Sequence, residues 1–137
     1  MAVPSSTAKA VRDVLIAQKF RPSAEPEGFD TATTAKLHKQ FFLRGPVLAD
    51  TVNASQQANE QWQMGIVFGW MPAGDADHFR FEMADAVSAL HAAMVTDSTI
   101  LSDAFNLQSH DPEFDEELGV WRATLVVEWW VYQSVSA

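Results

Sequence analysis

The side chains best equipped for chemistry in this chain are the carboxylates of residues 111–118, which read Asp-Pro-Glu-Phe-Asp-Glu-Glu-Leu. Asp111, Glu113, Asp115, Glu116 and Glu117 place five acidic groups in eight positions. Oxygen donors at that density suit calcium or magnesium, but the run lacks the Asp-x-Asp-x-Asp-Gly spacing that wraps a loop around one ion. A carboxylate pair also suits glycoside hydrolysis, but no polar, pocket-forming set surrounds these acids. His38, His78, His91 and His110 fall at no helical ligand spacing, and there are no cysteines to complete a zinc site. Asp75, Asp77 and His78 gather at an expected helix start, where capping and the helix dipole account for them. No serine sits in a nucleophile elbow, and no glycine-rich loop offers to cradle phosphate. Neither catalytic residues nor a cofactor or metal site is therefore expected. The acidic run stands as a candidate contact surface, alongside the simpler reading of a solvated turn.

The elements around that run define its setting. Residues 119–135 form the clearest strand in the chain. Trp121, Ala123, Leu125, Val127, Trp129 and Val131 make one wholly apolar row if side chains alternate. Val120, Arg122, Thr124, Val126, Glu128, Trp130 and Tyr132 make a mixed row. The first row belongs against a core, and the second is half-wet or meets another chain. All five tryptophans lie on expected strands, where core packing explains most of them. Adjacent Trp129 and Trp130 must point to opposite faces, so Trp130 is a candidate interface residue, with Arg122 and Tyr132 on its row. Residues 104–110 precede the acidic run and alternate Phe105 and Leu107 with polar groups, which predicts a hairpin with a long charged connection.

Upstream, a helix is expected over residues 6–19, capped from Ser5, Ser6 or Thr7 and ended by Phe20-Arg-Pro22. Arg12, Lys19 and Arg21 should face water. Residues 21–34 are rich in Pro, Ser, Thr and Gly and read as a loop whose one large apolar residue, Phe29, is a candidate contact. A strand is expected over residues 35–44, with Leu37, Phe41 and Leu43 on one face and Gly45-Pro46 ending it. Residues 47–59 are ambiguous: a short strand over Val47, Leu48 and Val52, then a polar loop. Trp62, Met64, Ile66, Phe68 and Trp70 alternate clearly, and Gly65 and Gly69 on the other face mark a bulge or a close backbone approach. Phe79, Met83, Val87, Leu90 and Met94 form a core-facing helical stripe. The sum is a single α+β domain over residues 1–137, a mostly antiparallel sheet of four to five strands with two helices on one face.

Composition narrows the function classes. The chain is 47% apolar and carries a net charge of −9. That charge repels phosphates and argues against duplex binding through a basic patch. It suits a soluble protein, or a channel wall past which DNA slides. The absence of cysteine removes disulfides and thiolate chemistry and fits a cytosolic setting. No signal-peptide profile and no run of membrane-spanning length are apparent.

The layout resembles the tail terminator proteins of long-tailed bacteriophages, the minor tail protein U family and related tail-completion proteins. The likeness lies in the short N-terminal helix, the central strand opening at Trp62, the helix over residues 79–94, and the acidic loop leading through Gly119 and Trp121 into the last strand. It is a likeness of pattern, and residues 22–34 and 44–60 fall outside it. It implies a non-enzymatic virion protein, assembled in the host cytoplasm, that forms a hexameric ring on the head-proximal end of the tail tube. Such a ring stops tube polymerisation and docks the head–tail connector, and DNA passes through its lumen without specific binding. The implied partners are copies of the same chain, the tail-tube protein and the connector. Phe29, Asp111, Glu113, Phe114, Asp115, Glu116, Glu117, Arg122, Trp130 and Tyr132 are the candidate interface residues. Three alternatives stay open: another connector or neck protein, the tube subunit itself, and a small metal- or ligand-binding α+β domain.

Overall fold

The computed structural model describes residues 3–31, 36–54, 57–71, 77–102 and 105–134. Helix α1 spans Pro4–Ala17, starting and ending two residues before the expected 6–19. Pro4 occupies the first helical turn, where its missing N–H costs nothing and its fixed φ helps. Extended Val3 takes the N-cap position, so Thr7 lies inside the helix, fully buried. The helix does not end through Pro22. Lys19 adopts φ 70°, and the Lys19 and Phe20 amides donate to the carbonyls of Ile16 and Leu15, both at 3.0 Å. This is the paired-bond C-terminal stop that usually uses glycine. It turns Phe20 inward, edge-on to Phe68 at 5.2 Å.

Two residues of the expected loop, Arg21–Pro22, form strand β1, which pairs in parallel with the start of β2, Gln40–Ala54. Strand β2 differs from the sequence reading at both ends. Lys39, at φ 61°, delays its start to Gln40. Gly45-Pro46 does not end it: the strand bulges between Arg44 and Val47 and continues. Proline is tolerated because no strand pairs with this edge of β2 beyond Phe41 among the described residues. Strand β3, Gln57–Trp70, pairs antiparallel with β2 from Ala54↔Gln57 to Phe41↔Phe68. The segment read as a polar loop is thus the outer part of a long hairpin arm, with residues 55–56 outside the described set.

Helix α2, His78–Thr96, presents Phe79, Met83, Leu90 and Met94 as its buried stripe, and α3, Ser98–Ser102, follows it. Asp77 stands at the N-cap position of α2, while Asp75 lies outside the described residues. Strands β4, Asn106–Ser109, and β5, Glu113–Asp115, both pair antiparallel with the same side of β6, Val120–Ser134. The acidic run is therefore not one long connection. Its first half returns to the sheet, and the turn proper is 116–119, closed by Gly119 N–H donating to the Asp115 carbonyl at 2.8 Å.

The result is an α+β fold with a mixed six-stranded sheet, order β1-β2-β3-β6-β4 with β5 beside β6, and three helices among the described residues. Strands β3 and β6 are its spine, paired without a break from Gln57↔Ser134 to Trp70↔Trp121. Their apolar rows meet across the strands: Met64↔Val127, Ile66↔Leu125 and Phe68↔Ala123. These residues join Val11, Leu15, Leu90, Met94 and Ile100 in one contiguous core between sheet and helices. Each fully buried side chain of this size contributes about 1.5–3 kcal/mol.

Candidate functional site

The opposite face of the sheet carries no helix residue of the core and divides into a covered half and a bare half. The covered half lies beneath the segments 23–31 and 36–38. Phe29 packs edge-on to Phe42 at 5.0 Å, and the Arg122 guanidinium sits 5.5 Å from the Phe29 ring centre. The Lys39 amide donates to the Gly69 carbonyl at 2.7 Å, and a Cβ on Gly69 would collide with the Leu37 carbonyl. Gly69 therefore marks a close backbone approach, as its place in the strand pattern predicts. Phe42, Val67 and Val120 are buried here although they lie off the main core.

The bare half spreads over the arm and the end of β6. Trp130 lies across from Gln61, and Tyr132 across from Asn59. Trp130 is half-buried and Tyr132 is 51% exposed. Gln61 Nε2 donates to Glu128 Oε2 at 3.3 Å, which ties β3 to β6 beside the indole. The Asn59 Oδ1 atom is buried with no hydrogen-bond partner among the described residues. Aromatic rings, amides and one carboxylate on one sheet face make a surface suited to another macromolecule.

The acidic run splits between the two sides of the sheet. Glu113 and Asp115 pair with Arg122 and Val120 on the side of the sheet away from the helices, whereas Phe114 pairs with Trp121 toward the helices. Phe114 meets the Trp121 ring at 5.3 Å, and Phe79 stacks on the same indole at 4.3 Å. Asp115 accepts twice, from Arg122 at 3.2 Å and from the Leu118 amide at 3.1 Å. Asp111, Glu113, Glu116 and Glu117 are exposed. The candidate residues thus form two groups. Phe29, Asp115 and Arg122 are engaged within the subunit, and Trp130 and Tyr132 remain open to a partner.

Sequence reasoning missed a groove of about 530 Å³ between α2 and the β4 edge. Met83, Val87, Leu107 and Ala123 give it apolar walls, and Arg80, His91, His110 and Asp111 rim it. No sequence signal marked it: Val87 reads as one more member of the core-facing stripe, and only the structure turns it toward the groove. Among the described residues, no three His, Asp or Glu side chains converge where they could hold a metal ion. His78 and Glu82 meet each other at 2.7 Å along α2. His38 serves structure: its Nδ1 accepts the Met71 amide at 3.1 Å, and its ring lies 4.5 Å from that of Trp70. Burial, then the neighbouring Lys39, pushes its pKa below the usual histidine value.

No protein-family model matches this chain, and no curated protein matches it. Among the described residues no helix is long and apolar enough to cross a membrane.

Proposed function

We propose that this chain is a structural virion protein that assembles into a ring, most simply a hexamer, on the head-proximal end of a phage tail tube. The observation that supports this most is the arm half of the sheet, where Trp130 and Tyr132 stand on a face that none of the described helices covers. A half-buried Trp130 beside an exposed Tyr132 fits a protein whose burial is completed by neighbours. The net charge of −9 fits a lumen through which DNA moves without sticking. In this reading the ring ends tube growth and offers its other side to the connector, and the exposed Glu116 and Glu117 lie on a rim available to either.

The α2–β4 groove favours a second reading, a small ligand-binding domain, because apolar walls with a few polar groups are the usual form of such sites. Light scattering after size exclusion, with and without magnesium and tail-tube protein, separates the readings. A closed ring, formed alone or on contact with tube protein, is the expected result. Long polymers would identify a tube subunit instead. A monomer that ignores tail tubes and binds a small ligand would overturn the virion reading.

A further inference from the structure

We infer that the free β2 edge of the hairpin arm joins the free β4 edge of a second copy of this chain, with Leu48 entering the α2–β4 groove. The inference rests on the ring reading and names the two surfaces through which the ring closes. The strand order leaves β4 at one margin of the sheet, and at the other, among the described residues, β1 covers only the first two residues of β2. Unpaired strand edges are templates for another chain unless proline, charge or a bulge blunts them. In β2 the proline and both register irregularities lie at or before Asp50, so the ladder over residues 50–54 is regular. The arm also exposes Val47, Leu48 and Val52 at 50%, 48% and 50%. Three half-exposed aliphatic residues within six positions make an apolar patch that the subunit itself does not cover.

The two edges are complementary. Leu48 lies across from Trp62, on the helix side of the sheet, and Leu107 of β4 lies across from Val127 on that same side. Continuing the sheet from β4 into a second copy's β2, with the regular stretch 51–54 antiparallel to 106–109, sets Val52 opposite Gln108 and carries Leu48 toward Pro112 in the groove wall. Val52 and Gln108 then share the open face. Residues 47–63 carry Asp50 and Glu60 and no basic side chain, and Arg80 stands at the groove rim. Joining unlike edges is a heterologous contact, which generates rings when the rotation closes, whereas arm-to-arm pairing would give only a twofold dimer.

The chain has no cysteine, so introduced thiols report only the chosen pair. The test is the double variant Val52→Cys/Gln108→Cys, both positions being exposed, treated with a short bis-maleimide that tolerates a small register offset. The expected result is a ladder of covalent oligomers that ends at the ring mass, with each single variant left uncrosslinked. Efficient dimerisation of the Val52→Cys variant alone would overturn the inference in favour of arm-to-arm pairing. A wild-type ring without a ladder would overturn this contact and leave the ring reading intact. A wild-type monomer at every concentration would overturn both. As a second measurement, Leu48→Asp is expected to weaken self-association at least tenfold with an unchanged circular dichroism spectrum and urea midpoint. Unchanged association of that variant would also overturn the contact.

Discussion

Trp129 and Trp130 are consecutive in β6 and occupy opposite worlds: Trp129 lies across from Trp62 with no exposed surface, and Trp130 lies across from Gln61 on the bare face. Their contrast yields the first prediction. Trp129→Ala should cost about 3–5 kcal/mol of folding stability, the range for deleting a buried aromatic side chain. Trp130→Ala should cost about 1 kcal/mol or less in the isolated subunit and act on assembly instead. Urea denaturation of both variants checks the stability difference. Equal losses would mean that Trp130 belongs to the subunit's own packing.

Gly65 and Gly69 share a face of β3 but not a constraint. A Cβ at Gly69 meets the Leu37 backbone, which cannot rotate away, whereas the nearest atom to a Cβ at Gly65 is the Arg44 Cβ at 3.6 Å, an ordinary contact. Gly69→Ala should therefore destabilise by about 1–3 kcal/mol through overpacking. Gly65→Ala should be neutral or stabilising by up to about 1 kcal/mol, because alanine narrows the unfolded ensemble. Thermal unfolding of the pair decides, and matching midpoints would rule out the close crossing at Gly69.

The acidic residues should divide in the same way. Asp115 supports both the 116–119 turn and Arg122, through a backbone amide bond and a partly exposed ion pair. Asp115→Ala is expected to cost about 1–2 kcal/mol, most of it from the hydrogen bond, since ion pairs of this exposure add little. Glu116→Gln and Glu117→Gln should change stability by no more than about 0.5 kcal/mol. If those two substitutions leave ring assembly and tail capping intact, the rim role assigned to them is wrong.

His38 should make stability fall in mild acid. Its ring accepts the Met71 amide at Nδ1, which protonation would abolish, and burial lowers its folded pKa below the model-peptide value of 6.5. A lowered histidine pKa means that its contribution is fully present above about 6.5 and is lost as pH falls through the folded value. The urea midpoint should decline from pH 7 toward pH 5.5, before most carboxylates titrate. His38→Gln should flatten that decline, and an identical slope in the variant would exclude His38 as its source.

Legibility varied along the chain for identifiable reasons. The alternation of β3 and β6 and the stripe of α2 were plain because each element buries one face, so burial imprints its period on the sequence. The arm part of β2 carried no such imprint. Val47, Leu48 and Val52 are about half-exposed on both faces, and this stretch is held by backbone pairing with β3, which leaves no mark in side-chain type. Gly45-Pro46 looked like a stop because the edge position that tolerates it is a property of the sheet. The acidic run looked like one long loop because short β5 is held to β6 by backbone pairing and by Phe114 against Trp121.

By itself, then, the sequence determined which row of each spine strand turns inward, since the cost of wetting apolar side chains is set by residue type and spacing. It also determined that Trp129 and Trp130 separate, because successive strand residues must. What only the tertiary structure decided is where the second face is covered. Leu37 crosses Gly69 and Phe29 packs against Phe42 and Arg122, while Tyr132 at the far end of the same face stays exposed. That outcome depends on contacts between residues distant in the chain, and no local pattern encodes them.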